Sequence, residues 1–258
     1  MLELFADYNK KFGAKHSLNA VIGASKGEKK YNDIEAAGFD FPNSDFGFDR
    51  LQASSIPTPP RTSRFRSTSR SFFGRVNYNF DDKYLAQFNL RADGASQFGE
   101  NNNVGYFPSA SFGWKINKED FMKQFSNLWN LKLRLSYGKA GNDNLPNGLT
   151  SLRYTYDTYS NDTYLQLAMN YRPNPNLKWE TITTSNLGID LGYKNLTATL
   201  DLYLKESTDL LLIKDLPAET GFIKEILNQG KVENKGIELT LGYNFYSVFG
   251  SKINYAPQ

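Results

Sequence analysis

The sequence predicts an all-β chain: an antiparallel transmembrane β-barrel segment of about nine or ten strands, incomplete as a barrel. Three observations carry this. Apolar or small residues alternate with mostly polar ones along each stretch, as in Phe72, Gly74, Val76, Tyr78 and Phe80 against Arg75, Asn77 and Asn79. A soluble sheet sustains such alternation over about five or six residues. Here it persists for about nine or ten, the length a tilted strand needs to cross a bilayer. Secondly, the connections are alternately short and long, the way outer-membrane barrels sort periplasmic turns from external loops. Thirdly, the mid-strand charges Arg75, Arg91, Lys132, Arg134, Asp190, Asp201 and Glu238 all fall on the polar face. An Arg or Lys turned to lipid near the midplane would cost roughly 2–4 kcal/mol.

In chain order, residues 2–9 and 17–27 read as two weak strands joined by a short basic turn from Lys10 to Lys15. Residues 28–67 read as a long irregular segment, in which IEAAGFDF predicts a turn of helix and IPTPPR a Pro-rich loop. The run RTSRFRSTSR (61–70) holds four Arg. It has two readings: an anion-binding patch for lipopolysaccharide phosphates or an acidic ligand, and a solvated loop entering a strand. Three strands follow up to Ile116, turned at Asp81-Asp82 and then by the polar loop 94–105. Residues 118–130 predict one or two helical turns, and 131–138 a strand with Leu131, Leu133, Leu135 and Tyr137 outward. Residues 139–178 predict a long loop containing a local hairpin around Thr155 to Met169. Strands over 181–193 and 196–205 meet at Lys194-Asn195, and another long loop, 206–230, precedes a strand over 232–245. The short turns belong to the periplasmic rim and the long loops to the outside.

Composition fits a wall better than a packed core. The hydrophobic fraction is 40%, while aromatics reach 15%, with 16 Tyr and 19 Phe. Many aromatics and few aliphatics suit aromatic girdles around a wet interior. The net charge of +3 and scattered Lys and Arg point away from nucleic acid. Cysteine is absent, so thiolate metal sites and disulfides are excluded. No apolar run of about 18 residues is present to form a transmembrane helix. The start lacks a basic stretch followed by an apolar one, and SKINYAPQ stops where a new strand would begin; the expectation is therefore a piece of a longer exported protein.

Several phrases resemble a family in combination: GRVNYNFDDKYLAQFNLRADGASQFG, GYFPSASFGWKI, LKLRLSYGKAGN, NPNLKWETITTSNLGIDLG and GKVENKGIEL. In this order and spacing, over about residues 70–245, they resemble the C-terminal barrel half of SusC/RagA-type TonB-dependent transporters. Residues 1–69 fit loosely, and the tail after Phe245 departs from the pattern. The resemblance implies that residues 1–258 are part of a 22-strand-type barrel domain, with plug domain, signal peptide and final strands absent. It implies import of oligosaccharides or peptides across a Gram-negative outer membrane, with energy from TonB, reached through an absent N-terminal region. A SusD-like surface lipoprotein would form the lid, and the lipid bilayer and lipopolysaccharide would surround the wall. By itself the piece should not transport. The competing readings are a passive outer-membrane pore or adhesion barrel, and a soluble carbohydrate-binding β-sandwich.

No catalytic or cofactor-binding residues are expected. The single histidine, His16, is all a Ser-His-Asp triad could be built on, and neither a P-loop, a dinucleotide fingerprint nor HExxH occurs. Asp40, Asn43, Asp45 and Asp49 miss the spacing of a calcium loop. The ligand-binding candidates are Arg91 and Asp93, at the outer end of a lumen-facing strand, and Trp179, near the base of an external loop, for stacking a sugar. Pairing with neighbouring strand charges is the alternative role for Arg91 and Asp93. Trp114 lies in the outward register, as a girdle residue.

Overall fold

The computed structural model describes residues 1–42, 47–99, 101–125, 129–145, 148–159, 162–246 and 252–255. The alternating stretches fold as strands because each buries one face and wets the other. In order they are β1 (Leu2–Phe12), β2 (His16–Glu35), β3 (Gly38–Phe39), β4 (Ile56–Pro57), β5 (Arg61–Phe80) and β6 (Tyr84–Ala95). Next come β7 (Val104–Lys115), β8 (Trp129–Asn142), β9 (Tyr154–Tyr159), β10 (Asp162–Leu167), β11 (Tyr171–Arg172) and β12 (Glu180–Tyr193). The last are β13 (Leu196–Thr208), β14 (Leu211–Asp215), β15 (Lys224–Asn228), β16 (Lys231–Tyr246) and β17 (Lys252–Tyr255). Among the described residues one ten-stranded antiparallel sheet runs β1-β2-β5-β6-β7-β8-β12-β13-β16-β17, and it does not close on itself.

Tight turns fix the register. Asp81 and Asp82 both take left-handed backbone, with φ of 54° and 49°. That is the signature of a type I′ hairpin turn, and Lys83 N–H donates to Phe80 O at 2.9 Å to close it. Lys194, at φ 51°, serves the β12–β13 turn.

Residues directly opposite in an antiparallel pair share a face, so the register lays out both faces of the wall. One row runs Ala20–Val76–Phe88–Ala110–Tyr137, and another Phe112–Leu135–Leu187–Leu202–Ile237. Among the described residues no second layer covers these apolar rows. Ile22 is 70% exposed, Phe72 67%, Phe88 51% and Leu239 63%. At the short-turn end an aromatic row stands outward: His16, Phe80, Tyr84 and Trp114, then Trp129, Tyr193 and Tyr243 further round. Phe72 and Tyr106 mark the other margin. From Phe80 to Phe72 is about 27 Å along the strand, or roughly 20 Å of height at a tilt near 40°, close to the apolar band of an outer-membrane barrel.

The structure corrects the reading of residues 28–67. β2 and β5 stay paired over twenty residues each, from His16↔Phe80 to Glu35↔Arg61. IEAAGFDF forms no helical turn: it ends β2 and then gives β3, which pairs with β4. Outside the apolar band neither face has to be apolar, while the backbone still has to pair; the ladder continues without an apolar stripe to announce it. The 118–130 connector consists of 3₁₀ turns at Ile116–Lys118 and Asp120–Phe125, with Trp129 already in β8. The local hairpin in 139–178 is β9–β10. Loop 206–230 contains β14 and β15, and β15 also pairs in parallel with β11. The tail after Phe245 adds β17 alongside β16.

Candidate functional site

Opposite the apolar rows, the sheet presents a polar wall. The register aligns one neutral polar side chain from each of eight strands in a single row across the ladder: Asn9, Asn19, Asn77, Gln87, Ser111, Ser136, Asn186 and Tyr203. Asn77 Nδ2 donates to Asn19 Oδ1 at 2.8 Å, and Asn19 Nδ2 to Asn9 Oδ1 at 2.7 Å. Such a stripe offers donors and acceptors without net charge. Sequence reading missed it as a unit, since strand registers set across connections of very different length bring these positions into one row.

Above and below the stripe stand two sets of paired charges. Arg134 on β8 donates from Nε and an Nη to Asp190 on β12 at 2.8 and 2.9 Å, and from Nη2 to the Asp201 carboxylate on β13 at 3.2 Å. The guanidinium reaches Asp201 by passing over Gly188, where a Cβ would lie 2.6 Å from both Arg134 and Asp201. Arg91 Nε contacts both Asp93 oxygens at 2.7 and 2.6 Å, and its Nη2 donates to Ser71 Oγ at 3.0 Å. The structure thus brings two of the three candidates, Arg91 and Asp93, together as one forked pair near the outer end of β6.

Trp179 lies elsewhere, against the external loops. Its ring packs on Phe98, with centroids 4.9 Å apart, and edge-on against Phe107 at 5.5 Å. Phe107 in turn lies over Gly105 and Gly141, where a Cβ would come within 2.5 and 2.1 Å of the ring. The indole nitrogen has no hydrogen-bond partner among the described residues. Around it is the buried core of the described chain: Ala95, Phe98, Leu149, Leu177 and Ile226, flanked by Leu145, Tyr171 and Leu211. The core therefore sits among loops 94–105, 139–178 and 206–230, at the end opposite the tight turns. Asn228 clasps the last two of these loops: its Nδ2 donates to Lys178 O at 2.8 Å and Asp209 O at 2.9 Å, while Oδ1 accepts from Lys178 N–H at 2.9 Å. Asn174 Nδ2 adds a bond to Ile226 O at 3.0 Å, and Asn102 Nδ2 one to Asn176 O at 3.1 Å.

The tight-turn rim is fastened by charge. Glu119 accepts from Tyr84 Oη at 2.6 Å, Trp114 Nε1 at 3.0 Å and Lys83 Nζ at 3.2 Å. The tyrosine and indole donors, then the lysine, hold its carboxyl below the usual carboxylate range. Asp82 accepts from Lys115 at 2.6 Å and from Lys118, which bring its pKa down to about 2. His16 stands on the outward face, with Nδ1 2.6 Å from Tyr78 Oη and its ring 4.8 Å from Phe80. Asn43 and Asp45 lie outside the described residues. Among the described residues no cluster of three His, Asp or Glu is placed to hold a metal ion.

Comparison with known proteins agrees with this geometry. A family profile described as TonB dependent receptor-like, β-barrel, matches residues 3–257. The TonB-dependent receptor P26 of Formosa agariphila is 35% identical over 239 residues, covering 91% of this chain and 24% of that protein. The TonB-dependent receptor SusC of Bacteroides thetaiotaomicron is 38% identical over 185 residues, covering 68% and 18%. The chain thus spans about a quarter or less of these curated relatives' length. The solved RagAB peptide transporter superposes with a TM-score of 0.82 at 28% identity, covering 96% of this chain and 28% of that one. At 17% identity and a TM-score of 0.57, the siderophore receptor PirA of Pseudomonas aeruginosa shares the fold alone.

Proposed function

The chain belongs to the TonB-dependent receptor-like β-barrel family, and on that premise we propose that residues 1–258 form part of the wall of an outer-membrane transporter. The cargo is an oligosaccharide or a peptide, import draws energy through TonB, and a SusD-like surface lipoprotein forms the lid. The observation that carries this is the sidedness of the sheet. Arg75, Arg91, Lys132, Arg134, Asp190, Asp201 and Glu238 lie on the face that also bears the amide and hydroxyl stripe, while the other face carries apolar rows over about 20 Å of height, close to the apolar band of an outer-membrane barrel.

That stripe suits uncharged, hydroxyl- or amide-rich cargo, which sugars and peptide backbones both are. Arg91 and Asp93 meet cargo or a plug as a pre-formed pair at the outer end of the wall. Trp179, half-buried at the loop base, is the aromatic for a sugar through ring stacking, since its indole N–H is buried. The named relatives are receptors and transporters rather than enzymes.

The test uses cells expressing the complete receptor that contains this chain, with labelled oligosaccharides and labelled peptides as separate arms. Uptake of one class should fall to background when TonB is deleted. Undiminished uptake in that strain rejects active transport and leaves a passive pore.

A further inference from the structure

We propose that the outward face of the β2–β5 extension binds the phosphorylated headgroups of outer-leaflet glycolipid. This rests on the outer-membrane reading above and adds a ligand site on the outside of the wall.

Past Ile22 and Phe72 the two strands keep their register, and the apolar row gives way to cations. Lys26 faces Arg70, Lys30 faces Arg66, and Asn32 faces Arg64. Because the register has no slip, these positions continue the row that bears Ile22 and Phe72, on the lipid side. Charge is sorted by face. The outward side of the extension carries Lys26, Lys30, Arg64, Arg66 and Arg70 against the single carboxylate Glu28. The inward side carries Lys29 and Arg61 against Asp33 and Glu35, and is neutral.

The inward side is also occupied. Tyr31 stacks on Phe65 at 5.9 Å, and the Arg153 guanidinium lies 5.6 Å from the Phe65 ring. On the outward side, Glu28 draws in Arg66 at 2.9 Å and Lys30 at 3.3 Å. Lys26 and Arg70 are exposed and join no ion pair among the described residues.

Height fits a headgroup. Arg70 is about 7 Å along the strand past Phe72 and Arg66 about 20 Å, or roughly 5 and 15 Å above the apolar belt at a tilt near 40°. The headgroup layer occupies about 5–8 Å on each side of the hydrocarbon. The Lys26–Arg70 pair thus stands at phosphate level, and Lys30–Arg66 among the sugars above. Guanidinium forks match phosphate oxygens two at a time. An acidic protein partner seated on the mouth would meet the inward side or the loop tips, which lack this excess.

The experiment takes the complete receptor, purified in detergent, and measures retention of lipopolysaccharide and of its enzymatically dephosphorylated form by native mass spectrometry. The Lys26→Glu/Arg70→Glu/Arg66→Glu variant should retain about tenfold less of the phosphorylated form. The inward-face control Lys29→Glu/Arg61→Glu should match wild type. Heat-modifiable migration on gels reports folding, and Lys26→Gln/Arg70→Gln replaces the triple variant should that fail to fold. Equal retention of the dephosphorylated form, or equal loss in the inward-face control, overturns the proposal. Competition by inorganic phosphate alone at micromolar concentration reassigns the site to free phosphate. Loss of a co-purifying acidic lipoprotein with glycolipid retention unchanged reassigns it to a protein. Loss of transport alone, with retention unchanged, would concern the transporter reading and refute this one.

Discussion

The sidedness of the wall is most sharply tested by placing one charge at adjacent positions. Phe88 lies on the apolar row between Val76 and Ala110, and Gln87 on the polar stripe between Asn77 and Ser111. Phe88 is four residues from Tyr84 in the aromatic row, so about 14 Å along β6. At a tilt near 40° this is roughly 10 Å of height, close to the middle of a band about 25 Å tall. Phe88→Arg should therefore cost about 2–4 kcal/mol, a factor of roughly 30 to 1,000 in the folding equilibrium. Gln87→Arg should cost under about 1 kcal/mol, since its guanidinium enters a wet polar wall. The assay is reversible denaturant unfolding of the complete receptor in phospholipid vesicles, followed by tryptophan fluorescence. Equal costs for the two variants, or a larger one for Gln87→Arg, would refute the face assignment and with it the membrane reading.

Three further outcomes follow from the same geometry. Leu177 is 0% exposed in the loop core, so Leu177→Ala should cost the external loops about 2–5 kcal/mol; this reads out as faster proteolysis and hydrogen exchange there, with wall strands unchanged. Arg134→Met leaves Asp190 and Asp201 without their shared cation and should cost about 1–2 kcal/mol, allowing for partial exposure; adding Asp190→Asn and Asp201→Asn should restore much of the loss in the same unfolding assay. Asp82 has a lowered pKa of about 2, so its contribution is complete above its unfolded value near 4 and disappears as pH falls from about 4 to 2. Being half exposed, it contributes under about 1 kcal/mol; the difference between wild type and Asp82→Asn should be seen at pH 6 and vanish near pH 2.

The parts of the fold legible in the sequence are those on which lipid imposes a rule. Within the bilayer each outward position must be apolar, so alternation marks β5 through β8, β12, β13 and β16, and the Asp81-Asp82 and Lys194-Asn195 turns fix their partners. Outside it the rule lapses. From Glu28 to Glu35 and Arg61 to Ser67 neither face carries a continuous apolar row, so the paired extension looked irregular although its backbone bonds continue. The loop core was equally hidden: Phe98, Leu149, Leu177 and Ile226 are far apart in sequence, and nothing local marks them as neighbours. Arg91 and Asp93 were legible as near neighbours on one face, two residues apart on a strand. The environment of Trp179 was not, because Phe98 and Phe107 reach it from distant segments.

The Asn228 clasp has a mechanical consequence. With one side-chain amide holding the backbones at Lys178 and Asp209, Asn174 tying the same two connections again at Ile226, and Asn102 joining loop 94–105 to Asn176, three long connections become a single stiff brim. They can tip or lift in concert, but a solitary finger cannot peel away without breaking several bonds together. Whatever enters past this side of the rim meets a ready-made edge, and any opening stroke has to move the brim whole or come from parts of the receptor beyond it.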